Sequence, residues 1–520
     1  MKRSSLPLIV CLAVVQADAQ LIDRTKAPNV SGDGIAKSLA QQIGAGRGNL
    51  TTPDSSTYII RRDPFRAIRR GRQLFQRKFS VREGLGPLAS DGSGDINTKL
   101  EIGAGLADSC ASCHGRPRGS AGFGGDVATR PDSRDAPHLF GLGLKEMLAD
   151  EMTSELRATR TRALLEARVA GRNVTRTLEA KDVAFGQITA KPDGTLDTSR
   201  VDGVDADLRV RPFFAHGGTV SIREFVVGAL KNEMGLQAVD AELMAAAGGG
   251  RMVTMGGMVL DGALDKIEAP ATADAAADPD GDGVRHEVPI ALVDYVEFYL
   301  LNYFKAARLD ATPQSRIGRR TFERIGCARC HVTDLHVDRD RRVADVETEE
   351  DPRQGIFNRL FATAAALFRT EVSAGGPDLK LPKLGRFAVR DIFTDFKRHD
   401  LGPNFHERNY DGTIRKEFLT TPLWGVATTA PYGHDGRSIN LTEVILRHGG
   451  EAQRSRDGFS YLSGPEQGFL LEFLQTLVLF PPDDTASNLD AGDRRDPLFP
   501  QKGHGSIRLT TLFNNPADPE

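Results

Sequence analysis

Two five-residue stretches, Cys110-Ala111-Ser112-Cys113-His114 and Cys327-Ala328-Arg329-Cys330-His331, constrain this chain more than anything else in it. Both read C-x-x-C-H. At that spacing two cysteines can each form a thioether to a vinyl group of one haem. The histidine that follows is then held under the iron as its proximal ligand. Two C-x-x-C pairs could instead build a four-thiolate zinc site, or form disulfides in an exported protein. Neither alternative explains a histidine directly after each pair.

The start of the chain bears on the compartment. Met1-Lys2-Arg3 is a short basic segment, Leu6 to Val15 an apolar run, and Ala17-Asp18-Ala19 an A-x-A cleavage site. Together they predict a cleaved signal peptide over residues 1–19, with Gln20 first in the mature chain. The fifth cysteine, Cys11, leaves with it, so the two motifs use every cysteine that remains. The apolar run is too short to span a bilayer, and no later segment is apolar enough to do so. The expectation is a soluble periplasmic or secreted protein with no stable membrane anchor. A net charge of −3 gives no case for nucleic acid. The 54 glycines and 27 prolines predict much loop, as suits a core built around a cofactor.

The motifs are embedded in a longer repeat. Gly71-Arg72-Gln73-Leu74-Phe75 precedes the first and Gly318-Arg319-Arg320-Thr321-Phe322 the second, each in a stretch with helical apolar spacing. An insertion rich in Gly, Ser and Asp, roughly Gly84 to Asp108, separates the first helix from its motif. His216-Gly217-Gly218 then leads into Ile222 to Leu230, and His434-Asp435-Gly436 into Leu441 to Leu446. Each half closes on an apolar helix, Val296 to Leu300 in one and Leu471 to Leu474 in the other. This order, occurring twice, predicts a mainly α fold of two tandem cytochrome c-type domains with long loops. Neither would bury a full core without its covalently attached haem. The expected bounds are 20–308 and 309–480, joined past a low-complexity linker at Ala269 to Ala277. Residues 481–520, rich in Pro, Asp and Gly, read as an extended C-terminal arm.

Further segments carry a resemblance. They are Arg134-Asp135-Ala136-Pro137 with Phe140-Gly141-Leu142-Gly143-Leu144, Asn232-Glu233-Met234-Gly235, and His399-Asp400-Leu401-Gly402-Pro403. Thr421-Pro422-Leu423-Trp424-Gly425, Ala430-Pro431-Tyr432-Gly433-His434-Asp435-Gly436 and His448-Gly449-Gly450-Glu451 follow. With them the chain resembles the di-haem oxidoreductase family, also described as thiol oxidoreductases or peroxidases. It is more distantly similar to bacterial di-haem cytochrome c peroxidases. The matches run from about Asp63 to the C-terminus.

The resemblance implies ligands. In the peroxidases a methionine downstream of the Pro-Tyr-x-His-Asp-Gly segment ligates the second iron. The same interval from His434 falls on His448, and no methionine occurs after Met258. His448 is thus the expected sixth ligand of the second haem, with His434 and His399 as alternatives. A histidine there should lower the potential, which axial ligands set over about 0.8 V. Glu233 matches the distal acid of the peroxidases. A carboxylate over an open iron can take a proton from peroxide and return it to the leaving oxygen. The plain alternative for Glu233 is a surface glutamate. His138, His216 and Met234 are candidates to close the first iron instead. Phe214-Ala215-His216-Gly217 stands where the peroxidases carry a tryptophan, and Trp424 is the only tryptophan.

Two features stand apart. Asp278-Pro279-Asp280-Gly281-Asp282-Gly283 resembles the start of a calcium loop, with Asp278, Asp280, Asp282 and a displaced Glu287 as ligands and a plain acidic turn as the alternative. The Arg-rich stretch Arg61 to Lys78 reads either as a solvated helix face or as a site for haem propionates or an acidic partner. The resulting expectation is a periplasmic enzyme with two covalent c-type haems. A donor protein or small donor reduces the second haem. Electrons pass to the first, where peroxide or a similar small oxidant is reduced. A non-catalytic electron carrier and a di-haem oxygenase are the alternatives.

Overall fold

The computed structural model describes residues 37–86, 107–115, 135–303, 307–346, 365–372, 378–409 and 412–479. The expected signal peptide, most of the insertion after Gly84 and the C-terminal arm lie outside them.

Each half is organised by a crossing of two helices at a glycine. Helix Pro64–Gln76 opens with Pro64 at its first position, and the Asp63 side chain accepts a hydrogen bond from the Arg66 amide. Its buried stripe of Ala67, Ile68, Gly71, Leu74 and Phe75 faces helix Ile290–Asn302, whose residues from Ala291 onward are all buried. A Cβ on Gly71 would fall 2.1 Å from the Tyr295 carbonyl oxygen and 2.6 Å from Tyr299 Cβ. Helix Pro313–Arg324, capped by Thr312, crosses helix Gly464–Gln475 in the same way. There a Cβ on Gly318 would fall 1.8 Å from the Phe469 carbonyl oxygen and 2.9 Å from Phe473 Cβ. In both crossings only a glycine lets the backbones meet over a pair of aromatic residues one helical turn apart.

The turns before the second helix of each half also match. An isolated bridge joins Phe213 to Thr219 in one and Tyr432 to Ser438 in the other. Ser221 then caps helix Ile222–Ala229 and Asn440 caps helix Leu441–Arg447. Gly217 and Gly436 take equivalent places, with φ of 70° and 63°. The sequence echo pairs His216 with His434. The backbone instead pairs His216 with Asp435, a slip of one residue.

The fold is mixed rather than mainly α. Among the described residues one three-stranded sheet and seven two-stranded sheets accompany the helices. Most strands are two to four residues long and leave no periodic signal in the sequence. The exception is the hairpin Val174–Ala180 with Val183–Ala190, extended by Leu196–Asp197. It packs against the 29-residue helix Leu142–Ala170. Leu148, Met152 and Leu156 of that helix meet Leu178, Phe185 and Ile188 of the hairpin, in a core that also takes in Leu335, Val389 and Trp424. This core therefore draws on both sides of residue 308. No helix among the described residues is long and apolar enough to cross a membrane.

A buried charge cluster fastens the first half. Arg223 is fully buried and donates to Asp240 at 2.6 Å and to Asp294 and Glu297 at 3.0 Å each. Asp294 also accepts from the Ser56 hydroxyl at 2.6 Å. One cation thus joins helix Ile222–Ala229 to the closing helix. Arg223→Met would strand three buried carboxylates and should cost about 3–5 kcal/mol. A holoprotein melting temperature unchanged by the substitution would refute this account. Two members of the Arg-rich stretch have structural roles: Arg70 and Arg77 are buried, and are answered by Asp54 and Tyr295 in one case and by Glu83 in the other.

Candidate functional site

Both C-x-x-C-H motifs open on one cavity of about 1310 Å³. A pocket for a single ligand is typically ~300–1,000 Å³. The first motif forms the short helix Cys110–His114, and the second a tight turn at Cys327–Arg329, entered through Gly326 at φ 94°. All four cysteines are unbridged. The clusters of potential metal ligands among the described residues contain one cysteine at most, so no four-thiolate zinc site forms there. Burial pushes the Cys110, Cys113 and Cys327 thiols up to about 12. Such sulfurs stay protonated, which disfavours thiolate coordination.

The two motif histidines are held alike. His114 Nδ1 lies 2.8 Å from the Pro137 carbonyl, and His331 Nδ1 lies 3.0 Å from the Phe393 carbonyl. A carbonyl only accepts, so each Nδ1 carries the proton and each Nε2 keeps its lone pair. This backbone anchoring fixes tautomer and ring orientation in metal-ligating histidines. Burial lowers His331 to about 4, which keeps it neutral, the form that binds iron. Residues and cavity fit two haems, one at each motif.

Three histidines line the cavity on the side of the second motif, His399, His434 and His448, and their hydrogen bonds separate them. His399 Nδ1 lies 2.7 Å from Glu451 and its Nε2 lies 2.9 Å from buried Asp395. Burial opposes protonation, but Asp395 and Cys330 together outweigh it and carry His399 up to about 11. With both nitrogens given to carboxylates, His399 has no lone pair to offer. His434 stacks on Phe418, with centroids 4.0 Å apart, and its Nε2 lies 3.5 Å from Glu407. His448 ends helix Leu441–Arg447, and its Nδ1 lies 2.6 Å from the Val444 carbonyl. Its Nε2 keeps the lone pair, and it lies near enough to His331 to help hold that residue neutral.

The first site differs. Helix Ile222–Ala229 runs on into a π-turn, Leu230–Met234, which carries Glu233 to the cavity. Such turns are frequent at functional sites. Glu233 lies near Cys113, where its charge adds to burial in keeping the thiol protonated. Aligned on the matched turns and caps, the residue in the place of His448 is Ala229, which also lines the cavity. Phe213, Phe214 and Phe225 form a wall beside it, with ring centroids 5.7 and 5.2 Å from Phe225 for Phe213 and Phe214. Phe214 is held at φ 55°, a strained conformation of the kind found at functional sites.

The other candidates for the first iron, His138, His216 and Met234, also line the cavity. His138 Nε2 lies 3.0 Å from the Trp424 carbonyl, a link between the two halves, and burial lowers it to about 4. His216 stacks on Phe214. Met234 is buried in the core. Asp278, Asp280 and Asp282 do converge, with carboxylate oxygens within 4.8 Å of one another. Glu287 is not among them; its Oε2 accepts from the Gln237 amide at 2.7 Å. Sequence reasoning misses the place of Ala229 and the double pairing of His399. The first can be found from the repeat itself when the halves are aligned on their turns rather than on their histidines.

Residues 334–477 match the family model described as "Di-haem oxidoreductase, putative peroxidase". Among solved structures the chain is similar to hydrazine synthase from Kuenenia stuttgartiensis, with 17% identity and a TM-score of 0.22, over 36% of this chain and 55% of that one. It thus spans about half the length of that relative. It is also similar to a MauG-like protein associated with microbial copper homeostasis, with 15% identity and a TM-score of 0.26, over 86% of this chain and 97% of that one. No curated protein matches. Residues 334–477, which hold His399, Trp424, His434 and His448, are thus the part of the chain that is similar to the di-haem oxidoreductase family.

Proposed function

We propose that the chain is an exported c-type di-haem oxidoreductase. Cys110 and Cys113 attach the first haem and Cys327 and Cys330 the second, with His114 and His331 as proximal ligands. His448 supplies the sixth ligand of the second. Electrons enter there from a donor protein or small donor and leave at the first, where peroxide or a similar small oxidant is reduced. The haems supply the one-electron and oxygen chemistry. Glu233 holds the proton that the oxidant gives up and returns it to the departing oxygen.

The observation that carries this reading is the exchange of Ala229 for His448 between matched turns. A methyl group cannot ligate iron. The same backbone position therefore closes one site and leaves the other open. A closed site transfers electrons, whereas an open one can bind a small oxidant. The aromatic wall of Phe213, Phe214 and Phe225 favours a second reading, an oxygenase with an apolar substrate. Peroxide turnover, against oxygen uptake with apolar substrates, separates the two.

The first test is EPR of the oxidised protein, after haem content has been fixed at two per chain. One high-spin and one low-spin signal are expected. Two low-spin signals would mean that a residue from another position closes the first iron at rest, and the carrier reading would replace the enzyme.

A further inference from the structure

Lys145 is a half-buried charge that this cavity leaves unanswered. It sits in the first turn of helix Leu142–Ala170, flanked by the buried Leu144 and Glu146. That is a poor place for a cation, because the N-terminal end of a helix is itself the positive end of its dipole. Neighbouring buried charges all have partners. Glu146 accepts from Arg341 at 2.9 Å and from the Ile222 amide at 2.7 Å. Arg223 has its three carboxylates. Lys181 is paired with Glu151, and Lys397 with Asp202. The Lys145 ammonium has no hydrogen bond or ion pair among the described residues. Its Nζ enters the cavity over the ring of Phe213, 5.7 Å from the centroid. Burial brings it down to about 8, and no carboxylate lifts it back.

The surroundings indicate what would answer it. Its charge is felt by His138, whose Nε2 is taken up by the Trp424 carbonyl and whose buried Nδ1 has no partner. Phe213 and Phe214 line the same cavity. The pocket therefore offers one cation, one neutral acceptor and apolar aromatic walls. A buried ammonium is tolerated when an anion completes it, and a charge-assisted hydrogen bond is the strongest available kind. The anion must reach in on a body that the aromatic walls accept.

We propose that Lys145 is a carboxylate-binding residue, holding an acid group borne on an apolar body. The carboxylate is either a propionate of the haem attached at Cys110 and Cys113 or the acid group of a small organic ligand bound beside it. The inference rests on the di-haem reading, and the test separates the failure of one from the failure of the other.

The test compares holoprotein from wild type, K145M and K145R, with K145Q as a second neutral variant should K145M fail to accumulate. Haem content is measured first. A chain without attached haem would overturn the di-haem reading and the inference with it. With two haems attached, the propionate bending bands are recorded by resonance Raman spectroscopy, and acetate and benzoate are titrated while the Soret band is followed. If the partner is a propionate, its band shifts in the neutral variants and returns in K145R. If it is an external acid, benzoate perturbs the Soret band of wild type and K145R, and the apparent Kd rises about tenfold or more in the neutral variants, as loss of one charge-assisted hydrogen bond requires. Propionate bands and acid titrations that are the same in all variants, at full haem content, would overturn the inference while leaving the di-haem reading intact.

Discussion

Glu233→Gln is expected to leave both haems attached while kcat/KM for peroxide falls by ~10²–10⁴-fold, the usual share of a positioned proton carrier. The amide matches the carboxylate in size, so the π-turn Leu230–Met234 should survive it. What it cannot do is accept a proton and return it to the second oxygen. Two further readouts tie the loss to proton transfer. The EPR spectrum should keep its high-spin component, because Ala229, not Glu233, stands in the ligand position. Glu233→Asp should recover part of the rate, since it restores the function at a shorter reach. A Glu233→Gln rate within a few-fold of wild type would remove Glu233 from the chemistry and reduce it to a polar residue of the wall. If wild-type protein turns over no peroxide at all, the carrier or the oxygenase is left.

Part of this site is legible in the amino-acid sequence. C-x-x-C-H needs no tertiary context, because covalent attachment and the proximal ligand lie within five residues. The crossing glycines are legible as an echo at Gly71 and Gly318, although not as the contacts with Tyr295 and Phe469 that require them. The strands are not legible. Pairs such as Arg398–Asp400 with Glu417–Leu419 are three residues long and are set by their partner across the loop rather than by local alternation. The role of Ala229 is hidden by an apparent match. Aligning His216 on His434 puts identical residues together and shifts everything beyond by one, so Ala229 never meets His448. Backbone bridges and caps record the register where side-chain identity misleads. His399 shows the opposite limit. Nothing in His399-Asp400-Leu401-Gly402-Pro403 announces that Glu451, far along the chain, takes one nitrogen and Asp395 the other.

Those pairings make a second experiment decisive for the electron-entry site. His448→Ala is expected to abolish the low-spin EPR signal of the second haem and to leave two high-spin irons. His399→Ala and His434→Ala should each keep it. The difference follows from the lone pairs: His399 has none to give, whereas His448 is fixed through Nδ1 and the Val444 carbonyl, with Nε2 left over. That hydrogen bond also raises the basicity of the ligand nitrogen, which favours the oxidised iron. His448→Met should therefore restore a low-spin iron and raise its midpoint potential, by on the order of 0.1–0.3 V out of the ~0.8 V that axial ligands span. The direction matters to the mechanism. A low potential at the second haem drives electrons toward the first, so His448→Met should slow reduction of the oxidant even though both irons stay correctly ligated. Retention of the low-spin signal in His448→Ala, with its loss in His434→Ala, would move the ligand to the other side of the Phe405 ring, which touches both histidines. The assignment of the closed and open irons to His448 and Ala229 would then have to be withdrawn.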